Sequence, residues 1–197
     1  YNIGFFLASF PLLMGGMMTR KILIPVYRER SPAESTENFR KLQKMRLVLT
    51  GGMMAITGGV SMAGVVLIDV MYDSRYLMAG TVVVMIAAMQ MPQILVLTYE
   101  QAALAAGDSR RFFVLSAARA ALTLGFLYMG LSYGGLFGAL VGQGIAGLAA
   151  YPFVVWLARH ARAWDPKHDA IYGCVWAAII VLALWINFDA VAELAAL

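Results

Sequence analysis

Two ionisable residues lie deep inside long apolar stretches of the sequence. Arg119 lies seven residues after Phe112, about 10 Å into an apolar stretch at about 1.5 Å per helical residue. Glu100 lies seven residues before Gly107, at a similar depth if the helix before it continues to residue 106. An ionised side chain at the centre of a membrane helix costs about 2.5 to 3.5 kcal/mol on insertion scales, so each needs a partner, access to water or a function.

The sequence leaves two interpretations of Arg119 and Glu100 open. The turn at Gly107, Asp108 and Ser109 makes the flanking helices antiparallel neighbours, which allows an ion pair between the two side chains. That pair, or snorkelling towards the headgroups, satisfies both charges without any further function. Alternatively, Arg119 faces a water-filled cavity and binds an anionic headgroup such as a phosphate.

Arg20 and Lys21 form a second basic site, separated from the first charged loop by residues 22–27. Snorkelling to the membrane surface explains them. The alternative is a basic rim at the cytoplasmic mouth of a cavity, where the negative headgroup of a lipid substrate would collect.

No pattern in the sequence points to catalysis. His160 and His168 are expected in one solvated loop, and no GxxxxGK, HExxH or GxSxG motif occurs. The single cysteine, Cys174, allows neither an intrachain disulfide nor a thiolate metal cluster. We therefore expect no enzyme activity, no cofactor and no metal.

The composition indicates a membrane protein. Apolar residues make up 61% of the 197 residues and charged residues 13%, against about 25% charged in soluble domains, which excludes a disordered chain or a nucleic-acid-binding module. Six stretches approach the roughly 20 residues that a bilayer-spanning helix needs. They are 2–26, 47–71, 77–98, 112–132, 136–158 and 170–186. The predicted fold is all-α, with six transmembrane helices in one lobe.

The basic residues predict the orientation. Eleven Lys and Arg residues lie in alternate connections, at 28–46, 110–111 and 159–167. By the positive-inside rule these connections are cytoplasmic. The longest, the loop 28–46, is expected to hold an amphipathic surface helix over 33–44 after a start signal at Ser31 and Pro32. Because it begins at Tyr1, we expect the chain to be a piece of a longer protein.

Small residues and prolines within the spans predict how the helices pack. Gly134, Gly138 and Gly142 repeat every four residues, a spacing that permits close helix contact or bending during transport. Interior prolines predict kinked helices around a cavity. They are Pro11, Pro92 and Pro152.

Three segments of the sequence resemble a known family. They are YNIGFFLASFPLLMGGMMTRKILIPVYRE, YEQAALAAGDSRRFFVLSAARAALT and GGLFGALVGQGIAGLAAYPFVVWLARH. Together they resemble the C-terminal half of bacterial oligosaccharide flippases in the multidrug/oligosaccharidyl-lipid/polysaccharide exporter superfamily.

The resemblance implies two lobes of about six helices that alternate around a central cavity, in which arginines meet the pyrophosphate of an undecaprenyl-linked oligosaccharide. This chain would be the second lobe of such a transporter, in the bacterial inner membrane, and its partner would be the missing N-terminal lobe.

Two other functions stay open at this stage. An ion-coupled multidrug exporter of the same superfamily would favour an acidic site deep in a span, for which only Glu100 qualifies. A non-transporting scaffold of a polysaccharide assembly complex needs no charged cavity, and an Arg119 locked to Glu100 would favour it.

Overall fold

A computed structural model describes residues 2–29, 32, 34–72 and 76–196. Helices account for nearly all of these residues, which contain no strand. The helices are α1 (Asn2–Glu29), α2 (Thr36–Met71), α3 (Leu77–Ala105), α4 (Ser109–Ala149), α5 (Tyr151–His160), α6 (Pro166–Ile186) and α7 (Phe188–Ala195). Among the described residues, five helical stretches are long and apolar enough to cross a bilayer. The chain is therefore an all-α protein with the features of a multi-pass membrane protein.

The fourth of these stretches, Ser109–His160, folds back on itself. Helix α4 loses helical geometry at Gly134 and Gly135, and Gly135 has a φ of 54°, a left-handed conformation that favours glycine. Beyond this turn, Gly138 packs on Gly130, and Gly142 packs on Phe126. The two arms, 109–133 and 136–149, thus form an antiparallel hairpin at the predicted turn.

Backbone contact between the hairpin arms requires glycine at particular positions. A Cβ atom at Gly138 would clash with the carbonyl oxygen of Gly130, and one at Gly142 would clash with that of Phe126. The prediction of tight packing is confirmed for these two glycines. It is wrong for Gly134, around which a Cβ would meet nothing within 4 Å, because this residue belongs to the turn.

Helix α3 occupies the centre of the bundle. It contacts α1, α2, α4, α5, α6 and α7, and its segment from Val82 to Ala88 is buried throughout. Side-chain hydrogen bonds join α3 to its neighbours. Gln90 Nε2 donates to Ser9 Oγ of α1 over 3.0 Å, and Ser61 Oγ of α2 donates to the Val84 carbonyl over 3.0 Å. The centre of the bundle is filled, so cavities lie beside α3.

The loop predicted over 28–46 is wrong in extent. Helix α1 continues to Glu29 and α2 begins at Thr36, so the predicted surface helix over 33–44 is largely the first part of a 36-residue helix. Its cap is Ser35, whose Oγ accepts from the Asn38 backbone N–H over 3.1 Å. Of the start signal, Ser31 lies outside the described residues, as does the beginning of the predicted helix at Ala33.

Two predictions near α5 and α6 also need correction. Pro152 lies in the first turn of α5, a position that tolerates proline, whereas Pro11 and Pro92 lie inside helices as predicted. Helix α6 begins at Pro166 rather than at residue 170, because Asp165 caps it by accepting from the His168 backbone N–H over 3.2 Å. This earlier start carries three ionisable residues, Lys167, His168 and Asp169, into the helix.

The hairpin contact predicts that Gly138→Ala lowers the thermal stability of the protein. The added methyl group would meet the backbone of the other arm, and overpacking of this kind costs about 1 to 3 kcal/mol. Gly125→Ala is the matched control, since a Cβ there meets nothing within 4 Å. Thermal unfolding in detergent measures both variants, and equal melting temperatures would contradict the contact.

Candidate functional site

An ion pair joins α3 to the first arm of α4. Arg119 Nη1 donates to Glu100 Oε1, and the two side chains are 32% and 11% exposed. The turn between the helices, where Gly107 has a φ of 70°, aligns them as antiparallel neighbours. The ion pair that the sequence allows is therefore present.

Arg119 also faces a cavity. The space lies between α3 and the two arms of the hairpin and has a volume of about 480 Å³. Apolar and small residues line part of it, and five polar side chains line the rest. The polar residues are Gln93, Ser116, Arg119, Thr123 and Gln143. Polar groups on membrane helices face protein or water rather than lipid, and these five side chains give one part of the cavity a polar wall.

Arg20 and Lys21 both lie on the exposed surface of α1. Arg20 is close enough to Glu100 to interact with its carboxylate electrostatically. Arg20, Glu100 and Arg119 therefore form a three-helix charged group from α1, α3 and α4, with two positive charges and one negative. Lys21, the neighbouring residue on α1, adds to the positive charge of this surface.

The start of α4 is fixed by Asp108. Its carboxylate accepts from the Arg111 backbone N–H over 3.1 Å and from Arg111 Nη1. These hydrogen bonds hold the pKa of the Asp108 carboxyl below its ordinary value of 3.8. The cap sets the position of the first arm of the hairpin and therefore of Arg119.

A second polar cluster, which the sequence analysis missed, lies where α2, α3, α5 and α6 meet. At its centre is Asp169 of α6, which is 6% exposed. Its carboxylate accepts from the hydroxyl groups of Tyr99, over 2.7 Å, and Tyr151, over 2.8 Å. The ring nitrogen Nδ1 of His168 lies 3.0 Å from the same carboxylate. Three donors thus surround one buried acid.

His168 belongs to this cluster and is buried. Only 3% of the residue is exposed, its Nε2 lies 3.1 Å from Thr50 Oγ1 of α2, and its ring packs on the ring of Tyr172 with centroids 4.9 Å apart. The prediction of a solvated loop is wrong for His168, because α6 begins earlier than expected. His160 is exposed as predicted, but it is the last residue of α5 and not part of a loop.

Arg46 is the buried cation of the cluster. It is 1% exposed, its Nη1 donates to the Ala163 carbonyl over 2.8 Å, and its Cζ lies 3.8 Å from the centroid of the Tyr99 ring. It was predicted to be a loop cation, because the predicted loop extended to residue 46. The signal for its burial is helical spacing, since Gln43, Arg46 and Thr50 share one face of α2.

No known family model matches the chain, and no curated protein or solved structure matches it significantly. In the described part of the chain, no group of three His, Cys, Asp or Glu side chains is arranged to hold a metal ion.

The cap at Asp108 predicts a pH-dependent stability. Because its pKa is lowered in the folded protein, the carboxylate stabilises the fold above pH 3.8, and this contribution disappears as the pH falls through the folded pKa. Asp108→Ala should therefore melt below the wild type at neutral pH, and the gap should close in acid. Asp108→Asn, which keeps a capping oxygen, is the control. A gap that persists unchanged in acid would contradict this role.

The burial of Arg46 predicts that Arg46→Ala strongly destabilises the protein. It removes the hydrogen bond to Ala163, the contact with Tyr99 and a charge that faces Asp169, and breaking a buried charged contact costs about 3 to 5 kcal/mol. The exposed Arg40 on the same helix gives the control Arg40→Ala. Unfolding in detergent compares the two, and an equal loss of stability would show that Arg46 is not a packed element of the fold.

Proposed function

We propose that this chain is one lobe of a bacterial inner-membrane flippase that moves an undecaprenyl-linked oligosaccharide across the bilayer for polysaccharide biosynthesis by alternating access. The observation that carries the proposal is the position of Arg119 on a polar cavity inside a bundle of apolar helices. The sequence resemblance described above supplies the substrate class. The remaining lobe of the same transporter would complete the pathway.

The charges around the cavity favour an anion. Glu100 neutralises one of the two arginines near it, and Arg20 leaves an excess positive charge. In this proposal Glu100 acts as a resident counter-ion that balances the charge of Arg119 while the cavity is empty. A phosphate or pyrophosphate group then replaces the carboxylate on the guanidinium, whose planar donors suit phosphate oxygens.

The dimensions of the cavity suit a headgroup. Its volume of about 480 Å³ lies within the roughly 300 to 1,000 Å³ of typical ligand pockets. The amide and hydroxyl groups of Gln93, Thr123 and Gln143 offer donors and acceptors for phosphate or sugar oxygens. The isoprenoid tail would remain in the bilayer, where no polar contact is needed.

The alternatives require a different balance of charge. A cation-coupled multidrug exporter needs a carboxylate available to a cation, but Glu100 is paired with Arg119. The ion pair of Arg119 with Glu100 is the arrangement expected of a scaffold, but a scaffold gives no role to the five polar side chains that line the cavity beside it. The binding experiment described next can distinguish the exporter and the scaffold from the flippase.

Binding of a lipid diphosphate tests the proposal. The full-length protein is placed in phosphatidylcholine nanodiscs, and the dissociation constants of undecaprenyl diphosphate and neutral undecaprenol are measured by native mass spectrometry. We expect the diphosphate to bind more tightly than the alcohol. Arg119→Ala should weaken diphosphate binding about tenfold or more, as the loss of a charge-assisted hydrogen bond does.

Two further variants sharpen the result. Arg110→Ala is the matched control, because Arg110 is an exposed arginine in the first turn of the same helix. Glu100→Gln should strengthen diphosphate binding, since it removes the competing counter-ion. Equal binding of the diphosphate to wild type and Arg119→Ala would overturn the proposal. Binding of a lipophilic cation that depends on Glu100 would favour the exporter, and the absence of ligand binding would favour the scaffold.

A further inference from the structure

The cluster around Asp169 contains more buried negative than positive charge. Two buried aspartates accept hydrogen bonds in it: Asp165 from Gln43 Nε2 over 2.6 Å, and Asp169 from the hydroxyl groups of Tyr99 and Tyr151. Arg46 is the one fully buried cation among the residues that form the cluster. With a neutral His168 ring the cluster therefore carries an excess negative charge. One added proton would make it neutral, which a low-dielectric site favours.

The hydrogen bonds of His168 can accommodate that proton. Because a carboxylate only accepts, the Nδ1 of His168 must donate to Asp169, and the second nitrogen, Nε2, faces Thr50 Oγ1 at 3.1 Å. A hydroxyl group can both donate and accept. Thr50 therefore donates to the neutral ring and accepts from the protonated one, and neither state leaves a ring nitrogen without a partner.

The neighbouring elements supply no second buried cation in the described residues. Helix α1 contributes Tyr27, α3 contributes Tyr99, α5 contributes Tyr151 and α6 contributes Tyr172. The basic residues nearest along the chain, Arg159 and Lys167, are exposed, and Arg159 packs its guanidinium over the Trp164 ring at 4.2 Å.

A route for the proton lies beside the cluster. Asp169 and Tyr151 line a cavity of about 360 Å³ that extends between α3, the second arm of α4 and α6. Asp169 is therefore buried among its donors and also borders this cavity. The cluster joins four helices at one end of the bundle, so its charge affects how firmly these helix ends hold together.

We propose that the buried His168 and Asp169 pair is a proton-binding site, in which a proton from water is taken up on His168 Nε2 and neutralises the cluster that joins α2, α3, α5 and α6. Proton binding stabilises the contact between these helix ends, and proton release weakens it. The site is separate from the cavity at Arg119 and needs no lipid substrate.

Nuclear magnetic resonance of histidine rings tests the site directly. The chain has two histidines, so in His160→Gln protein labelled with ¹⁵N-histidine the single remaining ring belongs to His168. We expect its ring signals to move through one titration between about pH 5 and 8, the range over which imidazole charges change. Signals from His168 that stay constant over this range, while His160 of the wild type titrates, would overturn the proposal.

Replacing the Asp169 carboxylate tests whether its negative charge promotes proton binding to His168. Asp169→Asn removes the excess negative charge, so the titration midpoint of His168 should fall by about one pH unit or more. Asp69→Asn, at an exposed position of α2, should leave the midpoint unchanged. If Asp169→Asn does not fold, Tyr151→Phe provides the second variant. Loss of one hydrogen-bond donor to the Asp169 carboxylate should raise the titration midpoint of His168.

An unchanged midpoint in the folded variant would contradict the role of Asp169. Because no lipid diphosphate is present, these results are independent of the flippase proposal.

Discussion

An ionised side chain among apolar helices must find an opposite charge, hydrogen bonds or water, and this constraint organises the whole structure. Glu100 and Arg119 meet it with an ion pair that borders a polar cavity. Asp169 meets it with donors from three helices, including Tyr99 of α3. Both arrangements include residues of α3, the helix that contacts all six of the other helices.

The central position of α3 explains where the two sites lie. Its middle segment is apolar and buried on all sides, whereas its last turns carry Tyr99 and Glu100 in consecutive positions. Consecutive residues on a helix point about 100° apart, so the two side chains face different neighbours. Tyr99 reaches α6, and Glu100 reaches α4. One helix end thereby contributes Tyr99 to the buried cluster around Asp169 on one side and Glu100 to the ion pair with Arg119 on the other.

Much of the fold could be predicted from the sequence, because the apolar runs and the short turns identify membrane-spanning helices by length. The hairpin at Gly134 and Gly135 and the ion pair of Arg119 with Glu100 follow from the positions of the glycines and charges along the chain. The cluster around Asp169 could not be predicted in the same way. Its members are separated by 118 residues between Thr50 and His168, and hydropathy assigns charged residues at helix ends to loops. Burial of Arg46 and His168 depends on how four helices pack, which no local pattern records.

The central claim is that the cavity beside Arg119 is polar and filled with water. Its hydration can be measured directly. In a Cys174→Ser background, Thr123→Cys places a thiol on the cavity wall, and Ala121→Cys places one at similar depth on the exposed face of the same helix. A membrane-impermeant thiosulfonate reagent modifies only thiols that reach water. In lipid nanodiscs we predict that the cysteine at position 123 is labelled and that the cysteine at position 121 is not. Equal labelling at the two positions, or no labelling at either, would contradict a water-filled site inside the bundle.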